Sequence, residues 1–503
     1  MIRRDSDEIK DQLIKNSFWN FINSLINRFG SFILVILISK ILMPEGFGRY
    51  SLALSVALFF ITFSDMGVNQ TLIRYVSFGI HKKSGESSSY LKYLLKIKFL
   101  LTVLFSLLML ILSYPLSVYM FHDTELFIPL LVLSFYVFIV SLTGFFESLF
   151  FLKKNVKYIS AKETVLLILK LIAVIFIGYV TYSQRLVLIF LSFFVFSIGV
   201  FLFDFYLSKH FYPYLFSRYE KEIDKKEIRK FIFSLNIQNI SLTILSQATI
   251  IILGIFLSKD YIGYYNSSLI LVTSIANLFM FSSVLLPILT KMNENDFPNF
   301  IKKIFNLIMT VLLPISFGLA LLSRYFIFFI YGENYLAAST SLAILAFLIP
   351  FMSGVDLALA SFLARNKQKK FSILMFSSTI LLIASNYLFI TLLLSFSPES
   401  VLVGVSWANL LTWGFCFAFS VFLLKKELKV QIISSWIIKP ILSCLIMSGF
   451  LFLSLNSFGE MNMIKGIILI LFGAGIYFSS LYLMGGINKE EIKGIIRLAV
   501  RKK

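Results

Sequence analysis

Polar side chains within apolar stretches mark where this chain can do chemistry, and they form two rows. Asn16, Asn20, Asn23 and Asn27 step by four, three and four residues, so they share one face of a helix. Arg28 and Ser31 extend that row. Asn236, Asn239, Thr243 and Ser246, with Gln247 alongside, repeat the design in the second half of the chain. Amides and hydroxyls exchange hydrogen bonds with sugar hydroxyls, and a guanidinium grips phosphate or carboxylate through its planar donor fork. In hydrocarbon such a row faces either another helix, as polar glue, or water. Two matched rows favour a water-filled cavity lined by Arg28, Asn20, Asn23, Asn27, Asn236, Asn239, Thr243 and Gln247.

Charges inside the apolar stretches are few. Arg28 falls about 16 Å along its span at ~1.5 Å per residue, near the bilayer midplane. A charge there costs at least ~2.5 kcal/mol and is retained by default for function. Lys170 and Arg324 are further cationic candidates for the cavity. The stem of Lys170 is also long enough to snorkel to the headgroups, and Arg324 lies near an outer boundary. Asp65 and Asp356 lie two turns inside their spans, where each either binds a coupling proton or sodium ion or pairs with an arginine. Glu147 and Asp204 stand about one turn from their helix ends, which points to interfacial solvation. No metal or other cofactor is expected, because His81, His122 and His210 are scattered over separate loops and Cys416 and Cys444 lie in apolar spans.

The elements that position these residues are about fourteen apolar stretches. Charge-free runs such as 99–122, 126–146, 231–258, 304–323 and 466–488 are each long enough for a helix of roughly 20 residues across a ~30 Å core. Weaker spans at 18–40, 48–72 and 163–182 fill the gaps. Of the 46 Lys and Arg, 38 fall on alternate loops together with both termini, five on the other loops and three inside spans. The positive-inside rule then puts both ends in the cytoplasm. It also accounts for the net charge of +20 without any nucleic acid.

A mean hydropathy of +0.88 excludes an ordinary soluble protein. The outer loops are too short to fold a catalytic domain, and there is no GxxxxGK[ST] for ATP. The composition therefore speaks for moving something through a membrane, not for an enzyme.

The chain also repeats itself. At an offset of 215, Pro44-Glu45-Gly46-Phe47-Gly48-Arg49-Tyr50 lies over Lys259-Asp260-Tyr261-Ile262-Gly263-Tyr264-Tyr265. At 211, residues 149–155 lie over 360–366. The expected organisation is a cytoplasmic segment 1–15, an N-lobe of six helices at 16–208, a linker 209–230 and a C-lobe of six helices at 231–424. Two additional helices at 425–484 and a basic tail at 485–503 follow. Parallel repeats of this kind put a substrate path between the halves, so the expected fold is all-α, two pseudo-symmetric six-helix lobes around a central cavity plus two C-terminal helices.

The Asn-rich first helix, the Pro44–Tyr50 turn and Asp65-Met66-Gly67-Val68-Asn69-Gln70-Thr71-Leu72-Ile73-Arg74 resemble the start of polysaccharide-unit (O-antigen, Wzx-type) flippases of the MOP exporter superfamily. Tyr331-Gly332-Glu333-Asn334-Tyr335 is similar to that family's short outer motif. The resemblance implies residence in a bacterial cytoplasmic membrane and alternating access. It implies as cargo an oligosaccharide linked through pyrophosphate to undecaprenol, and as a further partner the polysaccharide polymerase machinery. It also implies that the two C-terminal helices offer the lipid tail an apolar groove. A multidrug or cation antiporter of the same superfamily, and a polysaccharide polymerase or ligase, are the alternatives. The first lacks the extra helix pair, and the second needs a sizeable outer loop.

Orientation is directly testable. Cysteines introduced at Ser183 and Ser397 are expected to react with an impermeant maleimide in intact spheroplasts, and one at Ser87 only after the membrane is opened. The reverse labelling pattern overturns the topology drawn from the basic residues.

Overall fold

The computed structural model describes residues 2–81, 86–150, 156–216, 223–432, 435–457 and 463–486. Among them regular structure is helical throughout. Packing divides the chain into two units, Met1–Asn266 and Ser267–Lys503. The first holds α1 (Ile2–Asp65), α2 (Val68–His81), α3 (Glu86–Pro115), α4 (Phe127–Phe150), α5 (Val156–Ile177), α6 (Tyr182–Phe211), α7 (Lys225–Phe256) and the first turns of α8 (Lys259–Leu278). The second holds the rest of α8, then α9 (Ser282–Lys291), α10 (Phe297–Leu321), α11 (Ser323–Tyr331), α12 (Ala338–Leu345), α13 (Leu348–Ala364), α14 (Gln368–Leu393), α15 (Pro398–Leu428), α16 (Ile438–Ser457) and α17 (Met463–Leu483). This division groups residues by contact and places α7, which packs on α1, in the first unit. The expected 209–230 boundary refers instead to the duplication.

Ten helices among the described residues are long and apolar enough to cross a membrane, or eleven with the bent pair α12–α13 taken as one span. Taking the halves of α1 separately and adding α5 and α8 recovers the fourteen stretches read from the sequence. The protein is thus a multi-pass, all-α membrane protein. Local chemistry sets the helix ends. Pro44 has no N–H and pushes the residue before it out of the helical region, and Met43 sits at φ 57°, so α1 breaks there into two spans. Asp224 caps α7 by accepting the N–H groups of Lys226 and Glu227. Ser397 and Ser400 form a capping box that starts α15. Cys416 and Cys444 are buried free thiols.

The offset of 215 reappears as geometry. A Cβ on Gly48 would run into the carbonyl oxygen of Lys259, and a Cβ on Gly263 into that of Pro44. The offset carries Gly48 to Gly263 and Pro44 to Lys259, so each contact is the image of the other. Asn266 Nδ2 donates to Ser51 Oγ at 2.6 Å, and these two residues are themselves offset mates. Reciprocal contacts flanking a self-paired contact are what a local two-fold axis produces. The turns are clamped around it. Arg49 reaches Glu45, Asp123 and Glu125 at 2.7, 2.7 and 2.6 Å. The buried Lys259 ammonium donates to the carbonyls of Phe121 and Gly254 at 2.8 and 3.1 Å.

One labelling position needs replacing. Ser87 is 6% exposed and would resist a maleimide from either side, so the exposed Asn366, between α13 and α14, is the informative position for the side expected to be inner. The helix crossing yields its own prediction. Gly48→Ala and Gly263→Ala force backbone apart, and each is expected to destabilise the protein by about 3 kcal/mol or more, read as a lower melting temperature in detergent. Gly414→Ala, whose Cβ would first meet Phe351 at an ordinary 3.5 Å, is expected to be neutral or stabilising. Equal melting of all three variants would show that the crossing is not tight.

Candidate functional site

The first unit gathers most of the candidate residues. Asn27 accepts a hydrogen bond from Thr164 Oγ1 at 3.4 Å, and Gly30, one turn on, lies against Leu167. The first half of α1 therefore runs beside α5, with Arg28 half-buried next to that contact. On α7, Asn239, Thr243 and Gln247 are half-buried and Ser246 is exposed. The hydroxyls of Thr243 and Thr62 share a hydrogen bond at 2.9 Å, which ties α7 to the second half of α1. Gln247 Nε2 donates to Ser246 Oγ at 3.2 Å. Both polar rows thus lie on helices that pack on α1 or belong to it. The side chains of Asn16, Asn20, Asn23 and Asn236 lie outside the described residues.

The charged candidates separate. The Lys170 ammonium stands 4.7 Å from the centre of the Phe193 ring on α6, a cation–π contact, so it turns to a neighbouring helix and not to the headgroups. In the second unit Arg324 is exposed on the first turn of α11. Asp356 accepts the backbone N–H of Ser282 at 3.0 Å and so fixes the start of α9.

Three lysines that a single sequence leaves at loops or their flanks are buried, because residue order gives no sign of the partners that other parts of the chain bring to them. Lys98, 1% exposed, donates to Asp65 Oδ1 at 2.8 Å. Asp65 therefore has an ion-pair partner, a lysine on α3 in place of the expected arginine. Lys162 donates to Asp204 Oδ2 at 2.8 Å and lies 3.4 Å from Glu147 Oε2. Asp204 is 2% exposed. The expected interfacial solvation of Glu147 and Asp204 is thus corrected: helix-end position says nothing of whether a neighbouring helix covers the carboxylate. Lys259 is the third, held by the carbonyls described above.

The second unit contains an apolar cavity of about 340 Å³ between α10, α16 and α17, lined among others by Pro314, Ile315, Leu451, Leu469, Gly473 and Tyr477. The Tyr477 hydroxyl is turned out of it, donating to the Thr310 carbonyl at 2.8 Å, which leaves hydrocarbon surface facing the void. Gly473 lies against Leu451, so the α16–α17 hairpin closes tightly on one side.

Comparison with known proteins places this geometry. The sequence pattern of a family described as polysaccharide biosynthesis protein matches residues 13–293. A Klebsiella pneumoniae protein named as an uncharacterized membrane protein in the cps region is 25% identical over 343 residues, 67% of this chain and 68% of its own length. Among solved structures, the lipid II flippase MurJ in an inward closed conformation is similar with a TM-score of 0.69. It is 16% identical, covering 92% of this chain and 98% of its own. An inward-facing multidrug resistance MATE family transporter of the MOP superfamily gives 0.61 at 13% identity, covering 79% and 94%. These likenesses establish the fold, one that in both neighbours serves a carrier and not a catalyst.

The Lys98–Asp65 pair generates a prediction. Lys98→Met leaves the Asp65 carboxylate without its cation, and loss of one partner of a buried pair costs ~3–5 kcal/mol. The lower end is expected, because the Asp65 side chain keeps 22% of its exposure. Asp65→Asn added to Lys98→Met should recover most of the loss in melting temperature. Purely additive losses would mean that the two residues act independently.

Proposed function

The chain belongs to the polysaccharide biosynthesis protein family, and from that premise we propose that it is a flippase for lipid-linked oligosaccharide. Its cargo is an oligosaccharide repeat unit on undecaprenyl pyrophosphate, moved from the cytoplasmic to the outer leaflet of a bacterial cytoplasmic membrane for surface polysaccharide synthesis. The observation that carries the reading is the pairing of two chemistries in one chain. Arg28, with Asn27 beside it and the polar row of α7, suits a sugar head and its pyrophosphate. The cavity between α10, α16 and α17 suits a hydrocarbon tail. An antiporter for small cations has use for the first and none for the second.

With the head in a polar cavity and the tail in an apolar groove, the barrier to flipping falls, because neither part crosses the wrong solvent. Alternating access then requires the polar cavity to open to one leaflet at a time. Both termini lie in the cytoplasm in this reading, and the polysaccharide polymerase machinery takes the cargo on the outer side. Direction comes from a proton or sodium gradient or from consumption of the product.

A strain lacking the gene is expected to accumulate lipid-linked glycan in the inner leaflet. Arg28→Ala should reproduce that loss of export at normal membrane abundance, and Arg28→Lys, which keeps the charge but not the fork, should restore it only in part. Wild-type export by Arg28→Ala would reduce the residue to helix packing.

A further inference from the structure

Lys162 faces two carboxylates from two other helices. Its ammonium is 2.8 Å from Asp204 of α6 and 3.4 Å from Glu147 of α4. The Asp204 and Lys162 side chains are 2% and 5% exposed, whereas Glu147 keeps 26%. One cation against two anions leaves the cluster with an excess negative charge inside a membrane-spanning bundle, where an uncompensated charge is strongly disfavoured. Among the described residues no second lysine or arginine is ion-paired with either carboxylate. Lys170, two turns along α5, is drawn over Phe193. On the helices packed around α4, Lys98 is taken by Asp65 and Arg74 lies over the Phe231 ring. Glu163, next to Lys162 on α5, adds a further negative charge from an exposed position. Tyr136 is the other titratable group on α4.

We propose that Glu147, Lys162 and Asp204 form a proton-binding site in which the two carboxylates hold one exchangeable proton. The geometry assigns that proton to Glu147. Asp204 has the shorter, hydrogen-bonded contact and no route to solvent, so it stays ionised against Lys162. Glu147 has the longer contact and the exposed edge, so it can take a proton from water and return it. With Glu147 protonated the cluster is neutral: one ammonium, one carboxylate, one carboxylic acid. Use of this proton as the coupling ion rests on the flippase reading, whereas its binding does not.

Infrared difference spectroscopy of the full-length protein in lipid bilayers, titrated with pH in H₂O and D₂O, reads the site without any substrate. The parent is expected to show a pH-dependent C=O stretch of a carboxylic acid shielded from water. Glu147→Gln and Asp204→Asn should each abolish it, because either leaves one acid and one lysine, a neutral pair with no call for a proton. Glu163→Gln should keep the band. Survival of the band in either single variant, or its absence from the parent, overturns the proposal. Neither result bears on glycan export, which the Arg28 variants test separately.

Discussion

A hydrocarbon interior offers no water to a backbone amide or a charged side chain, so polar groups there must be matched by the protein itself. In the first unit this constraint decides where the charges go. Lys98 meets Asp65, Lys162 meets Asp204 and Glu147, and Lys259 is held by two backbone carbonyls. The ion pairs join different helices, so the matching of charge also fixes how those helices pack. Removing either partner of such a pair strands the other, which makes them positioning contacts before they are anything else.

The same constraint leaves little room at helix crossings, where a carbonyl must be approached closely or not at all. The crossing of α1 and α8 uses two glycines related by the internal offset, each seated on the carbonyl of the residue four positions before the other. A crossing about a local two-fold axis presents the same surface from both sides. A single glycine solution therefore serves twice, and the acids and basic groups around it complete the clamp.

The proposed function draws on three features. The polar rows of α1 and α7 include Asn27, Arg28, Asn239, Thr243 and Gln247, and the α10–α16–α17 cavity is walled by apolar side chains. The charge cluster on Lys162 has one negative charge too many. A carrier of a sugar on a lipid pyrophosphate needs the first two, and a carrier driven by protons needs the third.

Much of this was legible in the sequence because it depends on composition and period. Fourteen apolar stretches, the loop bias of Lys and Arg, and the spacing of Asn16, Asn20, Asn23 and Asn27 follow from what hydrocarbon and helix geometry require of any chain. The break before Pro44 and the offset that pairs Gly48 with Gly263 are also written in residue order. The partners of Asp65, Glu147 and Asp204 were not, nor was the burial of Lys98 and Lys162, which a linear reading leaves at the loops. An ion pair between helices is decided by which faces meet and at what height, and those depend on all the packing contacts together. One sequence therefore determined that this protein lives in a membrane and which polar residues share a helix face. Only the tertiary structure decided which charges neutralise each other and which one is left over.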